Sequence, residues 1–201
     1  MSQFNLIDSL KKQRVIPIFR GSHEEVKSAL NLMAPLAFST IELTTSIPHW
    51  QKLLAELSSD FQVGVGTITT DSEIEQAISG GAKFLVSFGT FPKLLEANKS
   101  VPIIPGALTP SEFLNIKRSG INLAKLYPAA NFGAKYLRDL KVLLPEMNFV
   151  VTGGIGVSEE ELRIWSESGA IAIGMGSALG NPLTDTEGFK SRVANLKTLL
   201  K

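Results

Sequence analysis

Short runs rich in Val, Ile, Leu and Phe recur along the chain, each followed by a longer stretch whose apolar positions return about every 3.6 residues. Eight such runs occupy residues 14–20 (RVIPIFR), 38–44 (FSTIELT), 62–67 (QVGVGT), 83–88 (KFLVSF), 101–106 (VPIIPG), 122–128 (NLAKLYP), 148–154 (NFVVTGG) and 170–176 (AIAIGMG). Amphipathic stretches lie between them, among them 22–36, 47–57, 72–79, 110–117 and 134–143. The last sets Tyr136, Leu137, Leu140 and Leu144 on one helical face. Strands alternating with helices predict a parallel sheet, because the return to a parallel neighbour needs a crossover that usually holds a helix. Eight repeats at a spacing of roughly 20 residues predict an α/β fold, a single (β/α)₈ TIM barrel over residues 1–201 with minimal loops. Residues 4–11 are expected to add a helix that caps the barrel bottom. The structural alternative is a doubly wound open sheet. Neither VGVGT nor TGGIG has the GxGxxG spacing of a dinucleotide site, which counts against it.

Charge and composition narrow the function classes. Twenty Lys and Arg against 19 Asp and Glu leave a formal charge of +1 over 201 residues, so no field of one sign is available to attract nucleic acid or an anionic membrane. Zero cysteines exclude disulfides, thiolate metal sites and a cysteine nucleophile, and fit a reducing compartment. The opening residues MSQFNLI have no basic segment leading into a long apolar run, and no run reaches the length of a membrane span. The expectation is a soluble, cytoplasmic protein.

In barrels of this kind the reactive groups sit at the C-terminal ends of the strands. Polar residues collect there: Arg20 after the first run, Glu42 and Thr44 in the second, Thr67 at the end of the third, Lys125 in the sixth, Thr152, Gly153 and Gly154 ending the seventh, and Gly176 and Ser177 ending the eighth. Lys125 is flanked by apolar residues on both sides. Burial there would disfavour the ammonium and leave an amine able to attack a carbonyl carbon. Its structural counterpart is a strand lysine whose stem lies on apolar surface with its head in water. Glu42 is likewise set in the apolar segment Ile41-Glu42-Leu43. A lysine with a nearby carboxylate supplies the electron sink and the proton shuttle of imine chemistry; read structurally, the two would be a buried ion pair.

The glycine segments TGGIG and GMGS follow the seventh and eighth runs, where such barrels usually bind phosphate through backbone N–H groups; tight turns alone would also use glycine. Arg20 could clamp a carboxylate or a phosphate in bidentate fashion. His23 and His49 stand apart from each other and from these groups and form no metal set. Trp50, with Leu53, Leu54 and Leu57 at helical spacing, reads as packing.

Taken together, Val15-Ile16-Pro17-Ile18, Ile41-Glu42-Leu43-Thr44, Val65-Gly66-Thr67, Ile104-Pro105-Gly106 with Thr109-Pro110-Ser111-Glu112, Lys125-Leu126-Tyr127-Pro128, Thr152-Gly153-Gly154 and Gly176-Ser177 resemble the family of 2-keto-3-deoxy-6-phosphogluconate and 2-keto-3-deoxy-6-phosphogalactonate aldolases, in order and in spacing. The resemblance implies a class I aldolase that needs no metal or organic cofactor. Lys125 would be the Schiff-base lysine and Glu42 the general acid/base. Thr67 and Thr152 would touch the pyruvyl portion of a phosphorylated keto acid, and Gly153, Gly154, Gly176 and Ser177 would bind its phosphate. It also implies a homotrimer. Three positions depart from the family pattern: Ser46 where many members have arginine, Phe88 where proline is usual, and Ala130 in place of glutamate. The first shifts the expected carboxylate clamp to Arg20, and all three leave the sugar configuration open. A phosphosugar isomerase or epimerase and a non-catalytic phosphometabolite-binding barrel are the rival readings.

Overall fold

The computed structural model describes residues 5–196. Its strands are β1 (Val15–Phe19), β2 (Thr40–Thr44), β3 (Gln62–Gly66), β4 (Phe84–Val86), β5 (Ile103–Ile104), β6 (Gly106–Ala107), β7 (Leu123–Leu126), β8 (Asn148–Thr152) and β9 (Ala170–Met175). Each pairing between them is parallel. The hydrogen-bonded order runs β5-β4-β3-β2-β1-β9-β8-β7-β6. The two ends of that order are covalent neighbours, because β5 and β6 are one stave of the barrel split at Pro105.

Proline has no N–H to give to the ladder, which accounts for the split of the run expected over 101–106. Its carbonyl stays in use, accepting from Lys125 N at 2.9 Å. Val86 pairs with Ile104 on one side of the break, and Gly106 pairs with Lys125 on the other. The sheet therefore closes on itself as a (β/α)₈ barrel, and the open-sheet alternative is set aside.

Helices α1 (Leu6–Gln13), α2 (His23–Met33), α3 (Trp50–Leu57), α4 (Asp71–Ser79), α5 (Pro92–Ala97), α6 (Pro110–Arg118), α7 (Gly133–Leu143), α8 (Glu159–Glu167) and α9 (Thr186–Leu196) surround the strands. Two bounds move from those expected because proline intervenes. The helix read over 22–36 ends at Met33, and Pro35 sits in the 3₁₀ turn Ala34–Leu36 that follows. The helix read over 47–57 starts only at Trp50, after Pro48 and the left-handed His49. Capping boxes Ser22/Glu25, Thr70/Glu73 and Thr109/Glu112 start α2, α4 and α6 soon after their strands end, which keeps the loops at that end short.

Strand alternation sorts the apolar residues into two layers. Ile41, Leu43, Val63, Val65, Leu85 and Leu126 face outward and pack with Val26, Met33, Leu53, Leu54, Phe113 and Leu137 of the helices; Trp50 joins this layer as packing. Ile16, Ile18, Phe84, Val86, Ile104, Leu123, Val150 and Ala172 fill the interior. The N-terminal helix expected over 4–11 is α1; Phe4 lies outside the described residues. Leu6 and Leu10 of α1 join the interior cluster and close the barrel bottom.

Buried Gln13 ties that plug to β2: its Nε2 donates to the Val15 and Thr40 carbonyls at 2.6 Å, and its Oε1 accepts from Ser39 N and Thr40 N at 2.9 Å. Leu10 is fully buried. Leu10→Ala should lower the unfolding free energy by about 2–5 kcal/mol in urea titrations, the cost of a lost leucine side chain plus the cavity it leaves; a loss under about 0.5 kcal/mol would show that the plug does not support the barrel.

Candidate active site

The interior parity of each strand fixes which side chains reach the barrel axis. On β2 it is Thr40, Glu42 and Thr44, and on β7 it is Leu123 and Lys125. Counting β5 and β6 as one stave, β2 and β7 lie four staves apart in either direction around the ring. Glu42 and Lys125 therefore face each other across the interior, 1% and 4% exposed. Neither takes part in an ion pair within 4.0 Å among the described residues. The contact ion pair allowed by the sequence is not formed, and Glu42 Oε1 is buried without a hydrogen-bond partner.

Burial dominates the titration of both groups. It pushes the Glu42 carboxyl above the usual carboxylate range, with the positive charges of Lys125 and Arg20 pulling the other way. It pushes the Lys125 amine below the ordinary lysine value; Arg20 adds to the lowering and Glu42 opposes it. Burial thus shifts both groups toward their neutral forms, while the charge of each opposes that shift in the other. Two glycines leave room for this arrangement. A Cβ on Gly66 would lie 1.9 Å from Glu42 Oε1, and one on Gly174 would lie 2.3 Å from Thr152 Oγ1. Thr152 is 7% exposed, and its hydroxyl also lacks a partner.

Above this pair a cavity of about 410 Å³ opens at the C-terminal ends of the strands. Arg20, Thr67, Lys125, Thr152, Gly153, Gly154, Gly176 and Ser177 all line it. Glu42 lies beneath, buried next to Gly66. Thr67 follows Gly66, so plain alternation would turn its side chain outward. Its φ of +63° redirects it, and Thr67 Oγ1 accepts from Arg20 Nη1 at 3.2 Å. A β-branched residue in that left-handed region is strained, at a cost of order 1–3 kcal/mol. Arg20 continues the interior parity of Ile16 and Ile18 and reaches over β2 to this threonine.

Gly153 and Gly154 are also left-handed, at φ +98° and +76°. The Thr152 and Gly153 carbonyls accept from Ala129 N and Ala130 N at 2.9 and 3.0 Å, which docks the loop after β7 against the loop after β8. Ser177 opens the 3₁₀ turn Ser177–Leu179 after Gly176. Two rings on the wall, Phe88 and Tyr127, were not read as site residues; their partial exposure at a strand end is visible only once the barrel is closed. His23 Nε2 contacts the Pro48 carbonyl at 2.9 Å, so it ties the first turn of α2 to the loop before α3, outside the cavity.

The model of the KDPG and KHG aldolases matches residues 6–191. The chain belongs to that family. The 2-dehydro-3-deoxy-6-phosphogalactonate aldolase of Escherichia coli K12 is 23% identical over 175 residues, covering 84% of this chain and 85% of that protein. Among solved structures, a 4-hydroxy-2-oxoglutarate/2-dehydro-3-deoxyphosphogluconate aldolase superposes with a TM-score of 0.84 at 29% identity, over 99% of this chain and 100% of that one. The KDPG aldolase of Legionella pneumophila, solved with pyruvate captured as a covalent carbinolamine intermediate, gives a TM-score of 0.83 at 24% identity over 98% of each chain.

The opposed signs of the charge effects on Lys125 give a pH test within this family member. The neutral amine is present above the lysine's native pKa and is lost as pH falls through it. Glu42→Gln removes the anion that raises that pKa, so the midpoint for reaction of Lys125 with pyruvate and borohydride should move down. Arg20→Leu removes a cation that lowers it, so the midpoint should move up. Peptide mass spectrometry of adduct yield against pH reads both shifts, and movement of the two midpoints in the same direction would contradict the electrostatics.

Proposed function

We propose that this chain is a class I aldolase that cleaves 2-keto-3-deoxy-6-phosphogluconate, or its galactonate epimer, to pyruvate and glyceraldehyde 3-phosphate, with Lys125 as the imine-forming residue. The observation that carries the reading is the buried Lys125 amine, held below its ordinary pKa, at the base of the cavity and across from a buried Glu42 carboxyl whose Oε1 has no hydrogen-bond partner. Membership of the aldolase family supports the reaction class.

The Lys125 amine attacks the C2 ketone, and Glu42 supplies the proton with which the carbinolamine oxygen leaves as water. The protonated imine takes up the electron pair of the C3–C4 bond as it breaks, while the C4 hydroxyl gives its proton to the Glu42 carboxylate. Glyceraldehyde 3-phosphate departs. The enamine then takes a proton at C3, and water hydrolyses the imine to pyruvate and free Lys125. No metal or organic cofactor enters these steps.

Arg20 and Thr67 hold the substrate carboxylate, and the Thr152 hydroxyl gains a partner in the pyruvyl portion. Backbone N–H groups at Gly153, Gly154 and Gly176, with Ser177, hold the phosphate. The working assembly is a homotrimer acting in the cytoplasm on a small phosphorylated keto acid within carbohydrate metabolism, without nucleic acid or membrane. A mass of about three times 21.7 kDa by light scattering is expected for the assembly.

Incubation with pyruvate and borohydride should add one reduced pyruvyl group, located on Lys125 by peptide mass spectrometry. Lys125→Met should keep the fold by circular dichroism and lower turnover by at least about 10⁴-fold, the loss expected when covalent catalysis is removed. Full activity in that variant, or an adduct on another lysine, would overturn the assignment.

A further inference from the structure

Phe88 is a large apolar ring left 49% exposed on the wall of the catalytic cavity. It is not a loosely held side chain on a free loop. Ser87 Oγ, in the preceding residue, donates to the Ile68 carbonyl at 2.7 Å, and Gly106 N donates to the Gly89 carbonyl at 3.2 Å. Gly106 itself packs so closely that a Cβ there would lie 2.2 Å from the Phe88 carbonyl carbon. The backbone on both sides of Phe88 is therefore pinned, and its ring is presented to the open cavity instead of folding into the core.

The Phe88 ring lies 6.5 Å from that of Tyr127, centroid to centroid, with the planes 51° apart. Tyr127 is 37% exposed, and its centroid is 5.5 Å from Lys125 Nζ. An apolar wall thus starts 5.5 Å from Lys125 Nζ at the Tyr127 ring and continues to Phe88 along the cavity. The glycine loops after β8 and β9 line the same cavity with backbone polar groups. Exposed aromatic surface held rigidly in a polar cavity gains free energy when a flat apolar partner covers it.

We infer that Phe88 is a specificity-determining residue which gives this enzyme a second activity, the aldol addition of pyruvate to unphosphorylated aromatic aldehydes. The inference rests on the Schiff-base reading of Lys125. In this reaction the C3 carbon of the Lys125 enamine attacks the aldehyde carbonyl carbon and forms the C–C bond. The carbonyl oxygen takes the proton of the Glu42 carboxyl, and water hydrolyses the imine to release a 4-aryl-4-hydroxy-2-oxobutanoate. No oxidant or reductant is needed. The aryl group lies against Phe88 and Tyr127, so its recognition does not use the phosphate loops.

The test measures kcat/KM for addition of pyruvate to benzaldehyde and to glyceraldehyde 3-phosphate, in the full-length wild type, Phe88→Ala and Phe88→Leu. Each value is divided by the same protein's rate of deuterium exchange into the pyruvate methyl group, which reports the enamine step without any aldehyde. The wild type should form the aryl product. Phe88→Ala should lower normalised benzaldehyde addition about tenfold, with a change of under about threefold for glyceraldehyde 3-phosphate. Phe88→Leu, apolar but not planar, should fall between, and it decides the matter should Phe88→Ala lose exchange.

Equal losses for the two aldehydes would overturn the inference while leaving the aldolase reading intact. So would a wild type that exchanges deuterium but adds no benzaldehyde. A wild type that exchanges no deuterium would overturn both.

Discussion

The barrel is organised around one electrostatic constraint: two ionisable side chains sit inside a closed apolar cylinder, facing each other without touching. Water at the bottom is excluded by Leu6 and Leu10 and on the flanks by the helical layer, so neither Glu42 nor Lys125 can recover the hydration it had in the unfolded chain. Stripping the charged forms of solvent is costly, and a partner at a distance only partly offsets it. Burial therefore shifts both groups toward the neutral acid and the neutral amine, and the free amine is the form that carbonyl addition requires.

Several features that look local follow from this constraint. Gly66 and Gly174 make room where the Glu42 carboxyl and the Thr152 hydroxyl need it, because a methyl group at either position would occupy their place. The strained Thr67 turns a residue of the wrong parity toward the cavity, where it meets Arg20. Strain of this kind persists only where the surroundings over-determine it. Here the β2–β3 ladder runs to its last residue, Thr44 opposite Gly66, and Thr45 N continues the contact by donating to the Gly66 carbonyl. Arg20 in turn places a positive charge near both buried groups, favouring the carboxylate at Glu42 and the free amine at Lys125.

How much of this could be read from the chain depends on the range of the interaction concerned. The order of strands and helices was legible because apolar periodicity is a local signal, and Lys125 and Glu42 stood out as charges inside apolar runs. The polar strand-end residues singled out on that basis line one cavity, apart from Glu42 beneath and Thr44, whose hydroxyl donates to the Phe19 carbonyl. The split at Pro105 concerned only where a strand is interrupted, so the eightfold count survived it. The left-handed turn at Thr67 was not legible, since threonine gives no sequence signal for positive φ. Nor were the gap between Glu42 and Lys125 and the exposed face of Phe88, which exist only once β2 and β7 stand opposite each other and the β4 end is pinned against Gly106. Helices α5 and α9 were not read individually. The first has only six residues, too few to show a period.

The gap itself explains why opposite placement serves better than adjacency. A lysine and a glutamate on neighbouring staves would meet as a contact ion pair in low dielectric, each holding the other charged. The amine would then lack a free lone pair and the carboxylate a proton to give. Separation by more than an ion-pair distance weakens that mutual stabilisation, so that burial is the largest influence on both groups. Ring closure is what makes such a placement durable: the backbones four staves apart are held on opposite sides of the barrel by hydrogen-bonded ladders that reach them from both directions.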